Sequence, residues 1–172
     1  MMDAMSRREM RTILMAAAAA LWLPMAAHAQ GAEVAFGGGL KQDTTLPVEI
    51  GSDQLQVNQA DGTAVFSGNV RVAQGPMRLG AQSVRVEYAP GGGAIRRLHA
   101  SGGVTLANGS EAAEAKQAVY TIESGEVVMT GDVLLTQGPN TLAGQKLVID
   151  LTAGTGRMEG RVQTVFQPGK AP

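Results

Sequence analysis

Few side chains in this chain have the type and spacing that chemistry requires. His99 is the only histidine outside the first 29 residues, and Glu111 and Glu114 stand three apart. A histidine base needs a nucleophile at hand. No Gly-x-Ser-x-Gly elbow accompanies His99, and the chain has no cysteine. A histidine metal ligand needs companions, and no second histidine or thiol is present to supply them. Leu98 and Ala100 flank His99 on the opposite phase, so it is expected to face solvent. Paired carboxylates can perform acid–base work, yet nothing apolar beside Glu111 and Glu114 would raise either pKa. They are expected in a solvated loop. Asn108-Gly109-Ser110 matches a glycosylation sequon but is read as a hairpin turn. Gly37-Gly38-Gly39 has neither a strand before it nor a helix after it to make a phosphate cradle. The reading is therefore a protein that is not an enzyme and has no catalytic residue, metal or cofactor.

What remains is a pattern. Residues 67–88 read SGNVRVAQGPMRLGAQSVRVEY, and residues 130–151 read TGDVLLTQGPNTLAGQKLVIDL. Gly68, Val70, Gln74, Gly75, Pro76, Leu79 and Gln82 recur as Gly131, Val133, Gln137, Gly138, Pro139, Leu142 and Gln145. A weaker copy lies between them, with Gly102, Val104, Ala115, Tyr120 and Ile122 in the matching places. A truncated copy ends the series at Glu159-Gly160-Arg161-Val162. The four glycines are about thirty residues apart, the period of a supersecondary unit.

Within a unit, Val70 and Val72 alternate with polar residues, as do Val84, Val86 and Tyr88. A period of two with β-branched residues on one phase marks half-buried strands. Gly75-Pro76 and Gly138-Pro139 are turns that cannot continue a ladder, and the glycine inside each first strand suggests a bulge. Asp61-Gly62 and Asn108-Gly109 are hairpin signals, and residues 90–93, Pro-Gly-Gly-Gly, form a wide loop. Residues 110–117, SEAAEAKQ, are strong helix formers, but their place in the repeat favours a loop entering a strand near Ala115. The fold class expected is all-β and antiparallel, built from repeated short meanders.

The first 29 residues read as a cleaved signal peptide, with Arg7, Arg8 and Arg11, an apolar run over residues 13–23, and Ala27-His28-Ala29 before the cut at Gln30. Cleavage removes three of fourteen Lys+Arg and two of fifteen Asp+Glu, leaving 11 against 13. A net charge of −2 offers nothing to nucleic acid, and the five aromatics left make a poor stacking platform. Residues 30–46 lack periodicity and are expected to be a flexible lead-in. The folded domain is expected over 47–168, with a tail at 169–172.

The inward phase collects Phe66, Val70, Val72, Val84, Val86, Tyr88, Leu98, Val104, Leu106, Tyr120, Ile122, Met129, Val133, Leu135, Leu147, Ile149, Met158, Val162 and Phe166. Such a set is either a sandwich core or an aliphatic lining for acyl chains, whose burial is worth ~0.8 kcal/mol per methylene. Periodicity alone leaves both open. Edge strands around Ile50, Leu55 and Val57 and around Val162 and Val165 carry little to block added strands.

The pieces Ser52-Asp53-Gln54, Phe66-Ser67-Gly68-Asn69-Val70 and Val72-Ala73-Gln74-Gly75 resemble the OstA-like family of periplasmic lipopolysaccharide transport proteins. Thr130-Gly131-Asp132-Val133 and residues 161–168, RVQTVFQP, are similar to it as well, so the likeness spans about 47–168. The resemblance implies an open β-jellyroll whose interior receives the acyl chains of lipid A. It also implies a periplasmic location and head-to-tail stacking. The implied partners are an LptC-like inner-membrane protein and an LptD-like outer-membrane translocon. The alternative is a structural or assembly β-repeat protein that polymerises through open edges without lipid cargo.

Overall fold

The repeat rests on a backbone requirement. Gly68, Gly102, Gly131 and Gly160 have φ between +77° and +86°, and the next residues, Asn69, Gly103, Asp132 and Arg161, are left-handed too. Two successive left-handed residues cannot lie flat in a ladder, so the first three pairs form bulges that bend their strands, and Gly160-Arg161 falls in the bend after Glu159. A computed structural model of the chain describes residues 32–35 and 40–167. The expected signal peptide, its cleavage point and the tail lie outside the described residues.

Eleven strands are described: β1 Ala32–Ala35, β2 Glu49–Gly51, β3 Gln54–Asn58, β4 Thr63–Gln74, β5 Met77–Tyr88, β6 Ile95–Asn108, β7 Glu111–Thr121, β8 Glu126–Gln137, β9 Asn140–Asp150, β10 Thr155–Glu159 and β11 Gln163–Val165. They form one sheet in the order β1-β10-β9-β8-β7-β6-β5-β4-β2, with β11 also on β9 and β3 also on β4. Every pairing is antiparallel. The meanders join through two-residue turns at Gly75-Pro76, Gly109-Ser110 and Gly138-Pro139. Glycine comes first in each with φ of +52° to +59°, as the primed hairpin turns that match strand twist demand.

The bulges lie on alternate strands. Ser67 pairs with Ser83 and Val70 with Ala81, so Gly68 and Asn69 together face Gln82. Gly102 and Gly103 face Lys116 in the same way, and Gly131 and Asp132 face Gln145. In β5, β7 and β9 the corner is turned without an extra residue, and the inward phase slips by one instead. Met77, Leu79 and Ala81 are buried and then Val84 and Val86; Ala113 and Ala115, then Ala118 and Tyr120; Leu142, then Leu147 and Ile149.

These corners align into one crease that folds the sheet into two facing halves. One half contains residues 117–121 of β7 and is flanked by β3 and β1. The other contains residues 70–74 of β4 and is flanked by β2 and β11. Their inner faces share one apolar cluster.

Two expectations are corrected. Residues 111–117 are strand, because the ladders of β6 and β8 on either side outweigh local helix propensity. The lead-in over 30–46 is not devoid of structure: Ala32–Ala35 pairs with β10, and Leu40 is buried.

Candidate functional site

The inner faces of the two halves bring the candidate residues together. Val70, Val72, Val84, Val86, Leu98, Val104, Leu106, Tyr120, Met129, Val133, Leu135, Leu147, Ile149 and Met158 are all buried. Phe66, Tyr88, Ile122 and Val162 are partly buried against them. Phe166 departs from the expectation. It is 72% exposed, because β11 ends at Val165 and the chain then turns over Asn140, whose Oδ1 accepts from Gln167 N–H at 3.2 Å.

The sequence reading also missed interior residues, among them Met77, Leu79, Val127, Leu142, Leu151 and the inward alanines. A single running phase cannot find Met77 and Leu79, since the slip at the corner reverses it. Of the edge residues, Leu55, Val57 and Val165 are exposed and Ile50 is half-buried.

The interior is mostly aliphatic, with Gln42, Gln74, Asn108 and Glu111 as its buried polar or charged side chains. Tyr120 reaches from one half-sheet to the other, and its hydroxyl donates to Gln74 Oε1 at 2.7 Å. Gln74 is 1% exposed. Burial pushes the Tyr120 phenol up to about 12, although its bond to Gln74 pulls the other way. Ionising the phenol would place an anion in an apolar space. Gln74 carries the first strand of its repeat unit to a close, so it reads in the sequence as a turn residue.

On the outer face, Glu87 gathers three arginines and a histidine. Arg96 Nη2 stands 3.1 Å from one carboxylate oxygen, and His99 Nε2 stands 2.8 Å from the other. Arg85 and Arg97 approach at 3.6 and 3.8 Å. Partial burial works to raise the Glu87 pKa, but Arg96, His99 and Arg85 outweigh it and hold the carboxyl below its ordinary range. His99 thus lies on the outward phase as expected, engaged with a carboxylate. The acidic pair is resolved differently from the expectation of a solvated loop. Residues three apart in a strand point to opposite faces, so Glu111 is buried, where it accepts from Gln137 Nε2 at 3.1 Å, while Glu114 is exposed. This is not the geometry of a carboxylate dyad.

A sheet creased along a line of bulges, with its aliphatic faces turned inward and edge strands left at both ends, defines an open β-jellyroll. Residues 49–155, more than half of the chain, match the family model for the LptA/(LptD N-terminal domain) LPS transport protein. The chain belongs to that family. It is 30% identical over 141 residues to an uncharacterized protein of Rhizobium meliloti (strain 1021), covering 76% of each chain. It is also 30% identical over 112 residues to the lipopolysaccharide export system protein LptA of Escherichia coli (strain K12), covering 61% of this chain and 60% of that one. The crystal structure of LptH, the LptA-homologous periplasmic component of the lipopolysaccharide transport device of Pseudomonas aeruginosa, superposes with a TM-score of 0.66. That likeness is 21% identical in sequence and covers 73% of this chain and 99% of LptH, and it supports the fold.

Proposed function

We propose that this protein carries lipopolysaccharide across the periplasm, holding the acyl chains of lipid A between its two half-sheets. It would bridge the inner and outer membranes through its edge strands. The observation that supports this reading most directly is the continuous aliphatic interior, from Val72 and Leu106 in one half to Val86, Leu98 and Ile149 in the other. A lipid with several chains pays the full hydration cost of its methylenes in water, ~0.8 kcal/mol each. An interior that runs along the crease offers those methylenes apolar contact throughout. Phosphate and sugar groups would remain outside, along the rows of turns.

The partners that fit are an LptC-like protein at one end and an LptD-like domain at the other, each adding a strand to an exposed edge. Leu55 and Val57 on β3 are 56% and 59% exposed, and Val165 on β11 is 59% exposed.

A specific observation favours a second reading. The interior side chains already bury one another, with Val84, Val86, Met129 and Ile149 at 0% exposure, as in an assembly module without cargo. Photo-crosslinking separates the two. A photoreactive residue at Val84, Ile122 or Ile149 should yield lipopolysaccharide adducts in cells, whereas one at the outward Glu114 should not. Loss of adducts at all three inward positions would leave the assembly module as the reading.

A further inference from the structure

The chain between β1 and β2 has to cross the molecule. β1 pairs with β10 at the end of one half-sheet, and β2 pairs with residues 71–73 of β4 at the opposite end of the other. Residues 40–46 make the crossing on the side away from the crease, where the two rows of turns face each other. A Cβ on Gly154 would meet Lys41 Cβ at 2.9 Å, and one on Gly125 would meet Thr44 Cγ2 at 3.2 Å. Both belong to turns of one half. A Cβ on Gly75, in a turn of the other half, would meet Leu46 Cδ1 at 2.8 Å. The segment is a strap laid over the open side of the jellyroll.

Its inner contacts are of two kinds. Leu40 is 1% exposed and packs into the apolar cluster. Gln74 takes the polar atoms: its Nε2 donates to the carbonyls of Thr44 and Leu46, both at 2.9 Å, and its Oε1 accepts from Gln42 Nε2 at 2.9 Å and from Tyr120. An amide side chain has two N–H donors and one oxygen with two lone pairs, so the strap and Tyr120 saturate Gln74. Among the described residues, the strap has one backbone–backbone bond to the folded body, from Gln42 N–H to Leu151 O in the turn after β9 at 2.8 Å. A ladder strand of this length would have several. The strap also holds Gln42 Oε1 buried with no donor, an arrangement that favours release.

If the strap leaves, the Gln74 amide is left in an aliphatic interior with two unmatched N–H groups. What takes the strap's place must therefore bring carbonyl oxygens to Gln74 and hydrocarbon to the site of Leu40. An acyl chain joined through an ester or amide does both. Resting on the lipid-carrier reading, we infer that residues 40–46 are an internal stand-in for cargo: the incoming acyl chain displaces them, and Gln74, oriented by Tyr120, takes its linkage carbonyl.

The chain has no native cysteine, so the strap can be tethered cleanly. In the double variant Thr44→Cys with Gly125→Cys, oxidation would pin the strap and reduction would free it, with any backbone strain common to both forms. Fluorescently labelled lipopolysaccharide should bind the reduced form at least about tenfold more tightly than the oxidised form. Equal affinity in both forms would overturn displacement. Gln74→Leu supplies the second arm, with short-chain ester-linked and ether-linked phosphatidylglycerols as probes. The wild type should prefer the ester by about tenfold, the worth of one buried hydrogen bond, and Gln74→Leu should lose that preference. A wild type indifferent to the linkage would overturn the role of Gln74. Hydrogen exchange distinguishes the failures. Wild type that binds no lipopolysaccharide removes the carrier reading, whereas strap amides that exchange only with global unfolding overturn the opening itself.

Discussion

At the scale of single residues, Tyr120 and Glu87 behave oppositely with pH. Tyr120 has its phenol raised to about 12 by burial, so the unfolded chain ionises this group first. Its neutral form contributes stability that is fully present below the ordinary tyrosine value of about 10 and is lost as pH rises toward 12. Urea midpoints should fall over that window in the wild type, and Tyr120→Phe should flatten the fall. Glu87 has the reverse sign. Its depressed carboxyl contributes stability above the ordinary carboxylate range, lost as pH falls through its lowered value. Glu87→Gln should therefore lower the midpoint at neutral pH and weaken its acid dependence. A Glu87→Gln acid limb as steep as that of the wild type would show that the side chains around Glu87 do not act on it as a cluster. The outward placement of His99 was legible from alternation alone. Its partner was not, because Glu87 precedes the wide loop and only the register of β5 against β6 brings the two together.

At the scale of elements, the bulge pair makes a sharp prediction. Gly102 and Gly103 both have positive φ, but a Cβ on Gly102 would lie 2.6 Å from Gln82 Cβ, whereas one on Gly103 meets nothing within 4 Å. The positions equivalent to Gly103 hold Asn69, Asp132 and Arg161. Gly103→Asn should leave stability within about 0.5 kcal/mol, since asparagine tolerates the left-handed region. Gly102→Ala should cost about 1–3 kcal/mol through backbone strain and overlap. Chemical denaturation of the two variants tests the difference. The strands themselves were legible from Val70, Val72, Val84 and Val86, and the turns from Gly75-Pro76 and its copies. Two features were hidden. The phase slip in β5 conceals Met77 and Leu79, because it is imposed by the bulge on the neighbouring strand. The alanine-rich β7 carries helix propensity that only its two flanking ladders override.

At the scale of the whole molecule, the two ends of the sheet differ. β2 and β3 end one side, and β1 and β11 end the other. Joining one side to the other is heterologous and need not close, so association should give open rods rather than symmetric dimers. Scattering mass should rise with concentration in the wild type. Val165→Pro, which removes a backbone donor in β11, should suppress that rise while thermal unfolding shifts little. A wild type that stays monomeric at high concentration and binds no sister domain would exclude the rod. The open edges were visible in the uncharged run from Val162 to Phe166. That β1 covers β10 was not visible, since Ala32–Ala35 has too few residues for a period to show.

The lengths of the ladders have a mechanical consequence. In such a rod, tension along its axis would act across the strands, along their hydrogen bonds. The interior ladders β4–β5, β6–β7 and β8–β9 each join ten residue pairs, whereas β2–β4 and β11–β9 join three each. A load shared over ten pairs strains each bond less than one shared over three. Stretching would therefore peel the terminal strands while the folded body stayed intact. A filament made this way would break and re-form at its joints, yielding to changes in the gap it spans without unfolding its units.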